Sequence, residues 1–292
     1  MALKAHTTFV SPLYQTDKII EYRTSIMLRH DGLSYAMIDT KLQQLMKMQD
    51  FVVQKTVEQD TANKNNIDIL QYIRELLEDI APELGISAHL SIVIDSPMFT
   101  IVPDFLIRDD KDAQQHLSFA YKLPISYRLW HYHLFGSDKQ LITALPQKSL
   151  AYITKQKNTK LHHVMGVLYQ GVQQNLSYTQ KTKSAIAYVS THTLFLSVYE
   201  GSKLWLSNSY TFHTKEDFIY YILLAYKQLE MNPNEDKLYL LGQVSRQSQL
   251  FDICWQYIRH VEFFPPNNQQ LLSNMPKAAH QHYILTQAAL CE

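Results

Sequence analysis

The chain has 292 residues, 46% hydrophobic and 18% charged, enough for a well-covered core in one large or two ordinary domains of the soluble globular class. Lys plus Arg and Asp plus Glu each number 27, so there is no basic field of the kind that binding to a nucleic-acid backbone requires. The longest apolar run, Phe218–Tyr226, falls far short of the roughly 20 residues that span a bilayer.

The first residues, Met1-Ala2-Leu3-Lys4-Ala5-His6, show no signal-peptide pattern. Cys254 and Cys291 are the only cysteines. They suggest neither a disulfide framework nor a CxxC site, so a reducing cytoplasm is expected.

In chain order, Thr7–Lys18 reads as irregular, with Pro12 as a breaker. Thr24–Arg29 and Leu33–Ile38 form a predicted hairpin about His30-Asp31-Gly32, because Asp-Gly between apolar runs is a strong turn signal. Asp39-Thr40-Lys41 turns again into Leu42–Met48, and Phe51–Lys55 continues that strand or begins another. An apolar stripe of Ile69, Leu70, Ile73, Leu76, Leu77 and Ile80 predicts a helix over Ile67–Ile80. His89–Asp95 is a compact buried strand, and Phe99–Val102 leads into a short helix opened by Pro103.

Asp109–Asp112 reads as a solvated charged turn. His116–Lys122 and Leu129–Phe135 read as strands, Asp138–Leu145 as a helix stopped by Pro146, and Leu150–Lys155 as a further strand. Leu161–Leu176 reads as a connecting helix. Ser184–Val189, Thr193–Tyr199, Lys203–Leu206 and Ser209–Phe212 are strands. Thr214-Lys215-Glu216-Asp217 has the spacing of a capping box opening a helix through Leu229. Leu238–Leu241 is a buried strand, Gln249–Val261 a helix, and Ile284–Leu290 a last strand or helix.

Ser25–Ile80 and Ser184–Leu229 therefore read as two copies of one β-β-β-α unit, Lys41-Leu42 aligning with Lys203-Leu204. The expected class is α/β, with a mixed sheet per copy. The expected organisation is a first lobe over 1–178, carrying a small β-rich insertion at about 116–155, and a second lobe over 179–292. Only 7 glycines are present, and loops that wrap phosphate need glycine so that backbone N–H groups can converge.

Val102-Pro103-Asp104-Phe105-Leu106, Phe195-Leu196-Ser197-Val198-Tyr199, Asp217-Phe218-Ile219-Tyr220-Tyr221-Ile222-Leu223 and Cys291-Glu292 carry a resemblance. Over nearly its whole length the chain resembles an uncharacterised bacterial family, of Bacteroidetes type, with a degenerate actin-like ATPase fold. More distantly it resembles actin-like scaffold proteins of pilus assembly and cell division. The resemblance implies the actin-like, ribonuclease H-like arrangement of duplicated lobes.

It also implies three phosphate- and adenosine-binding devices. The first needs D-x-G-x-x-T/S, with the Asp holding a magnesium-bound water. This chain has His30-Asp31-Gly32-Leu33-Ser34: Gly32 is kept but the carboxylate is displaced by one residue, to the other face of a strand. The second needs D-x-G-G/T, and Val189-Ser190-Thr191-His192-Thr193 has neither Asp nor Gly. The third needs an apolar strand and G-G-x-S/T. Leu241-Gly242-Gln243-Val244-Ser245 keeps one glycine and the serine, with Gln243 in place of the second glycine.

The expectation is a non-catalytic scaffold or adaptor for another cytoplasmic protein, with no catalytic residue, metal or cofactor. The alternative is an ATP-binding protein or weak ATPase using altered contacts at Asp31, Gly32, Ser34, Gly242 and Ser245, with Mg-ATP as its ligand. A dinucleotide-binding or hydrolase reading is disfavoured, because no carboxylates cluster at strand ends. Among the 13 histidines, the pairs His131/His133, His162/His163 and His280/His282 lack the further ligands of a zinc site.

Overall fold

The computed structural model describes residues 3–29, 32–53, 89–155, 158–175, 182–265 and 279–291. The first sheet has six strands in the order β1-β4-β3-β2-β5-β9. They are β1 Leu3–Val10, β2 Arg23–Arg29, β3 Gly32–Asp39, β4 Gln44–Val53, β5 His89–Ile94 and β9 Thr159–His163. Strands β1 to β4 pair antiparallel, whereas β2, β5 and β9 run parallel.

The second sheet has five strands in the order β12-β11-β10-β13-β14. They are β10 Lys183–Ser190, β11 Thr193–Glu200, β12 Lys203–Thr211, β13 Lys237–Gly242 and β14 His260–Phe263. Again a meander of antiparallel strands is followed by parallel ones. The repeat extends to an irregularity: register shifts between Met37 and Ile38 of β3, and between Val198 and Tyr199 of β11, the same place in each strand. The true equivalence differs from the sequence alignment, since Asp39 faces Gln44 where Glu200 faces Lys203. The first copy spends Thr40–Gln43 on a turn that the second makes with Gly201-Ser202.

A third sheet, β6-β8-β7, is inserted between β5 and β9. It consists of β6 Phe99–Pro103, β7 Tyr127–His133 and β8 Lys139–Pro146, with helices α1 Asp110–Ser118 and α2 Gln147–Thr154. Here several expectations are corrected. The supposed helix Asp138–Leu145 is β8, which hides its alternation because Gln140–Leu145 are all buried. Pro146 opens α2 rather than closing a helix, so Leu150–Lys155 is not a strand. The acidic turn is a cap: Asp109 accepts from the backbone N–H groups of Lys111 and Asp112 at 2.9 and 3.0 Å, so His116 lies in α1.

Elsewhere β1 replaces part of the irregular N-terminal stretch. Leu161–Leu176 divides into the end of β9 and helix α3 Val164–Asn175. Lys203–Leu206 and Ser209–Thr211 belong to one continuous β12, with Phe212 just beyond it. The Thr214/Asp217 capping box opens α4 Lys215–Gln228 as expected, with Asp217 reaching back to the Thr214 N–H. Gln249–Val261 divides into α5 Gln249–Tyr257 and β14. The C-terminal segment is a helix, α6 Tyr283–Leu290. The expected helix Ile67–Ile80 lies outside the described residues.

Both sheets turn an apolar face to a shared core around α3 and α6. Met27, Ala36 and Val93 come from one side, Ile186, Tyr188 and Phe195 from the other, with Leu168, Val172, Ile284 and Ala288 between. Helix α6 packs on β2, β3 and β5, and Ser25 Oγ donates to the Leu285 carbonyl at 2.6 Å. Helices α4 and α5 cover the other face of the second sheet.

Candidate functional site

The meeting of the two sheets leaves a cleft of about 670 Å³ at the carboxyl ends of β2, β5 and β10, the end where open α/β sheets place ligands. Leu28, Arg29, Ile94, Asp95 and Ser96 line it from the first sheet, and Ser190, Thr191, His192, Thr193, Thr211 and His213 from the second. Tyr127, Leu145, Pro146 and Ile153 of the insertion give it a largely apolar wall. The insertion is fastened to the second lobe: Ser209 of β12 donates to the Pro97 carbonyl at 2.6 Å, and Tyr121 meets Ser209 at 3.2 Å.

Across the cleft, the Ser190 hydroxyl donates to the Asp95 carboxylate. The two-residue turn Thr191-His192 has no positive φ. It therefore lacks the alternating right- and left-handed backbone that aims consecutive N–H groups at an anion. The His192 carbonyl accepts from the Phe212 N–H at 3.0 Å, and the His192 and His213 rings lie 6.1 Å apart.

Of the positions singled out in the sequence, those that are described do not line this cleft. Asp31 lies outside the described residues. Gly32 sits against β4, where a Cβ would come within 2.0 Å of the Phe51 carbonyl oxygen. Ser34 is buried; it accepts from Arg29 Nη1 at 2.6 Å and donates to Asp50. At Gly242, φ is +86°, and a Cβ would lie 2.3 Å from the Val189 carbonyl oxygen and 2.8 Å from the Tyr188 ring. This glycine lets β13 close on β10. The Ser245 carbonyl accepts from the Ser248 N–H and hydroxyl. Neither Gly242 nor Ser245 lines the cleft.

Beside this loop the chain folds back on itself. His280 Nε2 donates to the Val244 carbonyl at 2.7 Å, and its ring stacks on Phe263 with centroids 3.8 Å apart. Arg246 lies over Phe251 and Phe263.

His163 ends β9 behind the cleft and is fully buried. Its Nδ1 accepts from the Met165 N–H at 3.1 Å, so Nε2 carries the proton and donates to the Ser96 carbonyl at 2.8 Å. With both nitrogens engaged, burial pushes its pKa down to about 4. It anchors the Asp95–Met98 loop as a neutral imidazole. His131 bonds Asp110 and Gln140, whereas His133 pairs with Asp104. Among the described residues no three metal-ligating side chains gather.

Sequence reasoning missed Arg29, Asp95, His192 and His213 as cleft residues. The signal for Asp95 was present: a carboxylate immediately after a buried parallel strand.

This architecture, two meander-plus-parallel sheets about a central cleft, is the actin-like ATPase fold. A protein of that fold and unknown function from Bacteroides thetaiotaomicron VPI-5482 is similar, at 19% identity and TM-score 0.77, covering 96% of this chain and all of that one. PilM in the PilM–PilN type IV pilus biogenesis complex is similar at 10% identity and TM-score 0.61, covering 91% of this chain and 97% of that one. No curated protein matches. The chain belongs to the DUF3822 family, proteins of unknown function, whose model matches residues 12–261.

Proposed function

We propose that this chain is a non-hydrolysing member of the actin-like fold that acts in the cytoplasm as a scaffold or adaptor for another protein. The β10–β11 turn carries the reading. Every residue from Ser190 to Thr193 bears a side chain, the first hydroxyl is committed to Asp95, and the backbone has no left-handed residue to shape an anion cradle. Residues 1–178 and 179–292 are read as the two lobes, with α6 returning to the first.

The insertion supplies the protein-binding face. Phe105, Phe119, Ile125 and Phe135 are 80, 76, 97 and 62% exposed, more apolar surface than a small subdomain needs to show. The PilM–PilN complex supports the idea that a chain of this fold can work within an assembly.

A second reading is nucleotide binding through altered contacts, because Arg29, Thr191, Thr193 and Thr211 line a cleft of ligand size. One pair of experiments separates the two. Under the scaffold reading, Mg-ATP leaves the melting temperature unchanged, and a photo-crosslinker at Phe119 captures a protein that one at Trp255 does not. An Mg-ATP stabilisation lost in Arg29→Gln decides for the nucleotide.

A further inference from the structure

At the opposite end of the first sheet lies a second pocket, of about 240 Å³. It is lined by Arg23, His89, Leu90, Ser91, Asn158, Lys160, Ala289 and Cys291. Registers explain the convergence. Arg23 pairs with His89, and Ser91 pairs with Lys160. Alternation then sets Arg23, His89, Ser91 and Lys160 on the face that α6 covers. Arg23 and Arg29 begin and end β2, so this pocket is roughly 20 Å from the cleft at 3.3 Å per residue.

The lining is basic. No acidic residue stands among the described residues that line it, and neither Arg23 nor Lys160 has an ion pair or hydrogen bond among the described residues. The Ser91 hydroxyl is likewise unengaged there. Burial pushes the Cys291 thiol up to about 12, so it contributes no negative charge. Two residues beyond Lys160, on the same face, the buried Nε2 of His162 has no hydrogen-bond partner among the described residues.

The neighbouring carbonyl end of α6 attracts cations, but neither Arg23 nor Lys160 donates to it. Concave walls concentrate the field of like charges into the pocket.

We propose that this pocket binds a small phosphate-class dianion, either free phosphate or the head of a small phosphomonoester, between Arg23 and Lys160. The Ser91 hydroxyl and Asn158 amide are placed to donate to its remaining oxygens.

The test is titration calorimetry of the full chain at fixed ionic strength with inorganic phosphate, glycerol 3-phosphate and chloride. Binding of a phosphate compound but not chloride is expected, with affinity falling at least tenfold in Arg23→Gln and in Lys160→Gln, and unchanged in Arg29→Gln. Tighter binding of glycerol 3-phosphate than of phosphate identifies a phosphomonoester; the reverse identifies the free ion.

No binding by the natural chain overturns the proposal. So does binding seen only in Glu292→Gln, which would mean the chain's own carboxylate fills the site. Binding lost in Arg29→Gln and retained in Arg23→Gln also overturns it, moving the anion to the cleft. If the cations only serve the end of α6, Arg23→Gln lowers stability with no phosphate response in either chain, which again overturns it.

Discussion

The hydroxyl of Ser190, at the end of β10, donates to the carboxylate of Asp95, the residue after β5. The bond joins the two sheets where the cleft opens between them, and the donor's strand leads directly into the β10–β11 turn. Hydrogen bonds to a charged acceptor contribute about 1.5–3 kcal/mol. Ser190→Ala should therefore lower stability by about 2 kcal/mol in urea unfolding. A double-mutant cycle with Asp95→Asn should show coupling of at least about 1 kcal/mol; strict additivity would refute the tie.

His163 and His162 both have pKa values lowered by burial from 6.5 to about 4, that of His162 also by Lys160. The unfolded chain thus takes up protons first as pH falls. The stability held by the neutral imidazoles is complete above pH 6.5 and declines toward pH 4, by up to about 1.4 kcal/mol per pH unit for each group. Urea midpoints measured at pH 7.5, 6 and 5 should fall steadily, and a flat profile would count against buried neutral histidines.

Two glycines with left-handed φ give contrasting expectations. Gly242→Ala meets the Val189 carbonyl and the Tyr188 ring, whereas Gly136, at φ +66°, has nothing within 4 Å. Alanine at Gly136 should cost about 1 kcal/mol, the backbone term alone. At Gly242 it should cost about 3 kcal/mol or more, since the clash adds to that term. Equal melting shifts would refute the close approach of β13 to β10.

Within the shared core, a Cβ at Gly171 of α3 would lie 2.1 Å from the Tyr283 hydroxyl of α6. Gly171→Ala should destabilise by about 1–3 kcal/mol, the usual cost of overpacking. Tyr283→Phe in the same chain should recover part of that loss. Absence of any rescue would place the strain elsewhere.

The meander of the second lobe was legible in the sequence because Thr193–Tyr199 lies between clear turns and the capping box announces α4. Strands β8 and β9 were not: β8 is buried along both faces, which erases the period-2 signal, and β9 runs straight into α3. That residues 189–193 contain neither Asp nor Gly was plain from the sequence. The cleft itself was not, because Asp95 acquires its role only when a hairpin from the other lobe is brought against it. Likewise Gly242 and Ser245 were singled out from a local motif, whereas tertiary packing directs one to β10 and the other to the turn before α5.

Helix α6 lies on β2, β3 and β5, although it follows the whole second lobe in the chain. During synthesis the apolar side of the first sheet therefore lacks part of its native cover, beyond what α3 and the second sheet supply, until that late segment leaves the ribosome. Met27 and Val93 gain Ile284 and Ala288 last, after Leu168 of α3 and Tyr188 of β10. A nascent chain halted near residue 260 should expose part of that side to chaperones, while its outer face, closed by early residues such as Ile19 and Tyr22, is already shielded.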